Sequence, residues 1–372
     1  MRKVPVILIG GFLGAGKTTL VAQAAQRLVQ QGKRVGLITN DQAANLVDTA
    51  ILEAAGSPVC EVSGGCFCCR FEDLLSAMEK LMREMSPDVL IGEPVGSCTD
   101  LSATVLQPIK DVHRDRFRAA PFSVTVDVKQ MRTLERMRAA PKGGDTFRFP
   151  ESVMYIYQKQ LEEADLIVLN KADLLSADEV LEVEDTLKRE FTRAPVFTMS
   201  ALAGQGVDGW LDFVLADHPS GCTIAEVDYD EYAAGEAALG WLNAAIRLDA
   251  DRDVPWRRFC TDLIAGLQAD FQALSAEIAH LKMHLAAGPD ALTANLTGND
   301  GHPVVRGKIG GHAREAKLLV NARVHIDPQR LRETVERRLQ AAAGDGIRLT
   351  VTDLQSFAPA RPQPKYRYDA VV

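Results

Sequence analysis

The chain has 372 residues, more than one domain usually holds, so two domains with a core each are expected. Hydrophobic residues make up 47% and charged residues 25%, close to folded averages, which excludes a chain disordered throughout. The formal charge of -8 argues against broad attraction to nucleic acid or an anionic membrane, and no run of about 18 apolar residues offers a membrane span.

Met1-Arg2-Lys3 and the apolar run Val4 to Gly11 look like the start of a signal peptide, but the run passes into Gly14-Ala15-Gly16-Lys17, so no secretory leader is expected. Seven cysteines, three of them within four positions, read as thiols kept reduced for metal or redox work in the cytoplasm.

Short β-branched runs alternate with amphipathic stretches through the first half, the pattern of a parallel sheet covered by helices. Strands are expected at Val4–Ile9, Arg34–Thr39, Val89–Ile91, Ser123–Val126, Leu166–Leu169 and Val196–Met199. Helices are expected between them, for example at Thr18–Gln31, Asp73–Glu84 and Ser176–Phe191.

This first domain is taken as 1–215 and a Pro-Ser-Gly linker as 216–228. A second domain at 229–357 then reads as strand Leu239–Leu248, helix Trp256–Leu285, strands Thr293–Thr297 and Lys317–Ile326, helix Pro328–Ala343 and strand Ile347–Thr352. That is a smaller α+β domain in ferredoxin-like βαββαβ order. Residues 358–372 read as an extended, flexible tail.

Gly11-Phe12-Leu13-Gly14-Ala15-Gly16-Lys17-Thr18 fits the P-loop pattern between a strand and a helix. Backbone N–H groups around Gly11, Gly14, Ala15 and Gly16 would cradle phosphates at the positive end of the helix. Lys17 would reach the β- and γ-phosphates, Thr18 would ligate Mg²⁺, and Thr19 would contact the α-phosphate. Glu93, at the end of the strand in Asp88-Val89-Leu90-Ile91-Gly92-Glu93, supplies the metal-side acid. Asp41 and Asp48 are lesser candidates for a loop that senses the γ-phosphate.

Asn170-Lys171-Ala172-Asp173 follows another strand, and its carboxylate can accept from guanine N1–H and the exocyclic amine, a pairing adenine cannot return. Ser200 and Ala201 form the expected second wall of the base pocket. GTP and GDP are therefore expected over ATP.

Cys66-Phe67-Cys68-Cys69, flanked by Gly64 and Gly65, suits Zn²⁺, Cu(I) or a similar ion, with a redox dithiol as the rival reading. Cys98 lies in a segment expected near the γ-phosphate, where it is either a site residue or a core thiol. Cys222 and Cys260 read as ordinary buried thiols. His280 and His284, four apart on an expected helix, would share a face.

With these motifs the sequence resembles the CobW-type family of P-loop GTPases, relatives of the urease and hydrogenase maturation GTPases. The residues that carry the likeness are Gly10 to Thr19, Gly65 to Cys69, Glu93-Pro94-Val95-Gly96 and Asn170 to Asp173. The resemblance implies a slow GTPase that couples its cycle to a transition metal, Zn²⁺ or Co²⁺, delivered to a client metalloprotein or a metal-cofactor pathway protein. Asn40-Asp41-Gln42-Ala43-Ala44 departs from the family's usual Asn-Glu-Phe-Gly-Glu, and its frequent His-rich run is absent. Other classes compatible with the P-loop are a small-molecule kinase or ligase, against which the base motif speaks, and a nucleotide-switched thiol regulator.

Overall fold

The computed structural model describes residues 3–54, 56, 58–132, 149–310 and 313–372. The chain packs as two compact units. Met1–Gln42, Leu52–Tyr232 and Arg361–Val372 form the first, and Ala43–Ile51 with Ala233–Ala360 forms the second.

The strands of the first unit are β1 (Val4–Gly10), β2 (Val35–Asn40), β3 (Val59–Val62), β4 (Val89–Glu93), β5 (Phe117–Ala119), β6 (Ser123–Asp127), β7 (Leu166–Asn170) and β8 (Val196–Thr198). They run parallel in the order β3-β2-β4-β1-β6-β7-β8, with β5 also paired to β1. Every residue of β1, β2, β4, β6 and β7 is buried, as strands covered on both faces must be. Among the helices, α1 (Lys17–Gln30) buries Leu20, Val21, Ala24, Ala25 and Leu28, a stripe at helical spacing, against Ile7, Ile9 and Ile91 of the sheet. A fully buried leucine such as Leu20 contributes about 1.5–3 kcal/mol through that contact.

Two strands of the first unit escape the sequence reading. Val59–Val62 and Phe117–Ala119 are only four and three residues long, too short for a period to be counted. The helix α2 (Val47–Ala54) precedes β3, and α3 (Phe71–Met85) follows it.

The second unit holds β9 (Gly240–Ala250), β10 (Glu277–Ala287), β11 (Asp290–Leu296), β12 (Val304–Lys308), β13 (Glu315–His325) and β14 (Ile347–Phe357). They form one antiparallel-paired sheet in the order β12-β11-β10-β13-β9-β14. Two long helices, Trp256–Ala273 and Pro328–Ala343, pack on one face over Leu242, Ala244, Ile246, Leu248, Leu281, Met283 and Leu285. On alternate positions the strands present Asn243, Lys282 and Asn321, which hold the segment Ala43–Ile51. Asn243 donates to the Ala44 carbonyl at 3.0 Å, the Val47 N–H donates to Asn321 at 2.8 Å, and Lys282 pairs with Asp48.

The helix expected over Trp256–Leu285 is corrected here. It ends at Ala273, turns through Ser275 at φ 52°, and gives way to β10. Neither Gly nor Pro marks that turn, yet His280, Lys282 and His284 alternate with buried Leu281, Met283 and Leu285, a period of two. His280 and His284 therefore lie on a strand. With β10 as the second strand, β9, β10, β13 and β14 and the two helices follow βαββαβ order, and β11–β12 is an inserted hairpin.

Residues Arg361–Val372 are extended, but they are held along the first unit. Lys365 and Tyr366 both reach Glu72, Arg367 Nε donates to Asp100 at 2.8 Å, and Tyr366 meets the Phe71 ring edge-on. The tail owes its order to these side-chain partners, which no backbone periodicity announces.

Candidate functional site

In a doubly wound sheet the loops at the carboxyl ends of the strands share one crevice. That edge carries the turn after β1, Asp41 after β2, the cysteine loop after β3, Glu93 ending β4, Asp127 ending β6, Asn170 ending β7 and Ser200 after β8.

The loop Gly11–Gly16 enters α1 through Gly16 at φ 98°. A Cβ on Gly16 would stand 2.3 Å from Asn170 Nδ2, so only glycine lets the loop approach so closely. Lys17 Nζ donates to the Gly11 and Phe12 carbonyls at 2.8 and 3.2 Å, which holds its charge at the rim of the loop. Thr18 Oγ1 donates to Glu93 Oε1 at 2.9 Å, and both residues are buried. A hydroxyl and a carboxylate meeting beside a Gly-rich loop are the oxygen donors Mg²⁺ takes next to phosphates. Thr19 lies on the first turn of α1.

On the other side, Asn170 Nδ2 donates to the Ala15 carbonyl at 2.9 Å and its Oδ1 accepts from Ala201 N at 2.9 Å. One side chain thus spans from the phosphate loop to the second wall. Lys171 sits at φ 63° and its ammonium pairs with Asp127 Oδ2 at 2.6 Å. Asp173 is exposed, and buried Ser200 accepts from Ala203 N.

Asp127 went unread in the sequence. The signal was its place at the end of β6, in register with Asn170. Asp41 is buried beside β3, its N–H donating to the Val62 carbonyl, whereas Asp48 belongs to the second unit and pairs there with Lys282.

The cysteine loop folds back on itself, the N–H groups of Cys69 and Arg70 both donating to the Cys66 carbonyl. Asn40 at the end of β2 holds it from beneath. Its Nδ2 donates to Val62 O at 3.0 Å and Gly65 O at 2.7 Å, and its Oδ1 accepts from Phe67 N at 2.8 Å. Buried Phe67 lies against Gly92, next to Glu93. Asn40 is a second residue whose role the sequence did not show, where it read only as the first residue of the divergent segment Asn40-Asp41-Gln42-Ala43-Ala44.

Cys66, Cys68 and Cys69 bring their sulfurs within 4.8 Å of one another. Cys66 Sγ and Cys69 Sγ are 3.4 Å apart and Cys68 and Cys69 3.7 Å. Cys66 and Cys68 are each 1% exposed, while Cys69 is half-buried. Crowding raises their pKa values. Hydrogen bonding to Cys66, Cys69 and Cys98, together with burial, pushes Cys68 well above the ordinary thiol, and contact with Cys66 pushes Cys69 up to about 11. Neutral thiols packed at this spacing form a donor set suited to a soft or borderline cation, which deprotonates what it binds.

Two further groups border the loop. Cys98 Sγ lies 3.9 Å from Cys68 Sγ, and the Gln363 N–H donates to Cys69 Sγ at 3.1 Å. Cys260 is buried as expected, but Cys222, in the linker, is exposed, its N–H donating to Asp165 just before β7.

The model of the CobW/HypB/UreG family, nucleotide-binding domain, matches residues 5–198, more than half of the chain. The chain belongs to that family. A protein named zinc chaperone CobW from a Sinorhizobium species is 29% identical over 266 residues, 64% of this chain and 73% of the relative. Zinc-regulated GTPase metalloprotein activator 1 of Dictyostelium discoideum is 27% identical over 210 residues, 50% of this chain and only 44% of that relative. Among solved structures, Zn(II)-bound YjiA GTPase from Escherichia coli covers 91% of this chain and 99% of its own at 17% identity and a TM-score of 0.36. Among the described residues, no helix is long and apolar enough to cross a membrane.

Proposed function

We propose that this protein is a GTP-hydrolysing metallochaperone that takes a transition metal, zinc favoured over cobalt, on Cys66, Cys68 and Cys69 and passes it to a client metalloprotein or cofactor-assembly protein in the cytoplasm. Family membership and the names of the relatives support the class. The observation that carries the coupling is Asn40: it grips both flanks of the cysteine loop from the end of a strand whose Thr39 is in register with Glu93.

In this reading the amides of Gly11, Gly14, Ala15 and Gly16 hold phosphate oxygens, and Lys17 swings from its carbonyl partners to the β- and γ-phosphates. Thr18 and Glu93 hold Mg²⁺, which supplies charge neutralisation between the phosphates. Thr19 takes the α-phosphate. Asp173 accepts from the guanine edge, the Lys171 stem covers the base with its head fixed by Asp127, and Ser200 and Ala201 close the far side. Hydrolysis rests on positioning and electrostatics, with no arginine from this chain assigned to the transition state.

The test is a competition titration with Zn²⁺ and Co²⁺ in reducing buffer, under GDP and under a non-hydrolysable GTP analogue. Metal affinity is expected to differ between the two nucleotide states and to collapse when Cys66 and Cys68 are replaced by Ser, with GTP binding retained. Equal affinities in both states, or tight binding that survives the double substitution, would overturn the proposal.

A further inference from the structure

Four sulfurs each about 2.3 Å from a Zn²⁺ ion stand about 3.8 Å apart along every edge of the tetrahedron. The sulfurs of Cys66 and Cys69, Cys69 and Cys68, and Cys68 and Cys98 follow one another at 3.4, 3.7 and 3.9 Å. Three successive edges therefore already lie within a few tenths of an ångström of that spacing, and the last brings in a cysteine from outside the motif.

The backbone around Cys98 is fixed independently of the cluster. Its N–H donates to the Val95 carbonyl, and Gln160 Nε2 clasps the carbonyls of Gly96 and Cys98 at 3.1 and 2.9 Å. The side chain is 1% exposed.

The same short segment also touches the phosphate loop. Glu93 accepts from Thr18, and Gly96 lies so close to Leu13 that a Cβ there would come within 2.6 Å of its side chain.

We infer that Cys98 is the fourth thiolate of the cargo site, closing Cys66, Cys68 and Cys69 into a four-sulfur tetrahedron. The inference deepens the metallochaperone reading and rests on it. With Cys98 as a ligand, the segment Glu93 to Cys98 holds the Mg²⁺-side carboxylate at one end and the cargo metal at the other. Each ligating thiol gives up its proton to solvent as its sulfur bonds the ion, with no change of oxidation state.

Zinc K-edge absorption on the unmodified full chain counts the sulfurs directly. Four at about 2.3 Å are expected, and three plus one lighter neighbour at about 2.0 Å would overturn the inference while leaving the cargo site in place. Titration with Co²⁺ under anaerobic reducing conditions gives a second measure. Cys98→Ser should lose about a quarter of the thiolate-to-Co²⁺ charge-transfer intensity, one ligand in four, and bind more weakly, while exposed Cys222→Ser should match the wild type. A wild-type spectrum and affinity in Cys98→Ser, with Cys68→Ser abolishing the site, would assign three thiols and sink the proposal alone. If the unmodified chain took neither metal, the metallochaperone reading would fall with it.

Discussion

Asn40 makes three buried hydrogen bonds to the cysteine loop with one amide, and no smaller side chain can make them all. Asn40→Ala leaves Phe67 N–H and two carbonyls without that partner, so it should cost about 1–3 kcal/mol in urea unfolding. It should also weaken zinc binding, since the loop no longer keeps its turn. A variant as stable as wild type with unaltered zinc affinity would show that the clamp is incidental.

Protons provide a second residue-level check. Cys68 is held well above the ordinary thiol value and Cys69 at about 11, so both are protonated at neutral pH. Zinc must displace a proton from every thiol it ligates, and the sign follows: affinity rises with pH, by about tenfold per pH unit per thiol, until the thiols ionise on their own. Competition titrations from about pH 6 to 8 measure the slope; a flat profile would exclude thiolate ligation.

At the scale of elements, the C-terminal strap is held to the first unit by side chains that the sequence alone did not connect. Arg367 supplies charge to Asp100, which is buried at 1% side-chain exposure, and Tyr368 donates its N–H to Ala103 in the π-helical turn Ser102–Leu106. Removing residues 361–372 should leave Asp100 without its cation and uncover Cys69. In the metal-free protein, iodoacetamide should then modify Cys69 several-fold faster, read by peptide mass mapping; an unchanged rate would mean the strap does not shield it.

The P-loop, base motif and cysteine run were legible because each is contiguous and lies where a strand ends. Asp127 and Asn40 were not, because each acts on a motif that folding brings to it from another strand end; Cys98 was placed near the γ-phosphate by its segment, but its nearness to Cys68 exists only in the fold. The β10 error has a similar root: the apolar residues around Ile278 to Leu285 satisfy helical and strand periods alike until cross-strand pairing to β13 decides.

For the whole molecule, coupling between nucleotide and metal is a single free energy shared by both sites. If the triphosphate state tightens zinc binding by some factor, zinc must tighten triphosphate binding equally, by about 5- to 150-fold for couplings of ordinary size. Measuring both legs of the cycle on one preparation checks this, and unequal factors would reveal a second metal or nucleotide site. The path offered by the fold is short: Thr18 to Glu93, then along the chain to Cys98, and in parallel from the end of β2 through Asn40 to the cysteine turn.

The uneven exposure of the three motif cysteines has a kinetic meaning. Cys66 and Cys68 are sealed within the first unit, and Cys69 alone of the three reaches the surface. A bound ion therefore shows the outside world one sulfur. On the proposed three-cysteine site an incoming thiolate or imidazole begins associative exchange on that side, so Cys69 is the first bond to break and those of the equally buried Cys66 and Cys68 follow. In that proposal the handover is sequential, and its opening step is favoured by the backbone N–H of Gln363, which weakens the donor strength of the Cys69 sulfur and makes it the better leaving group.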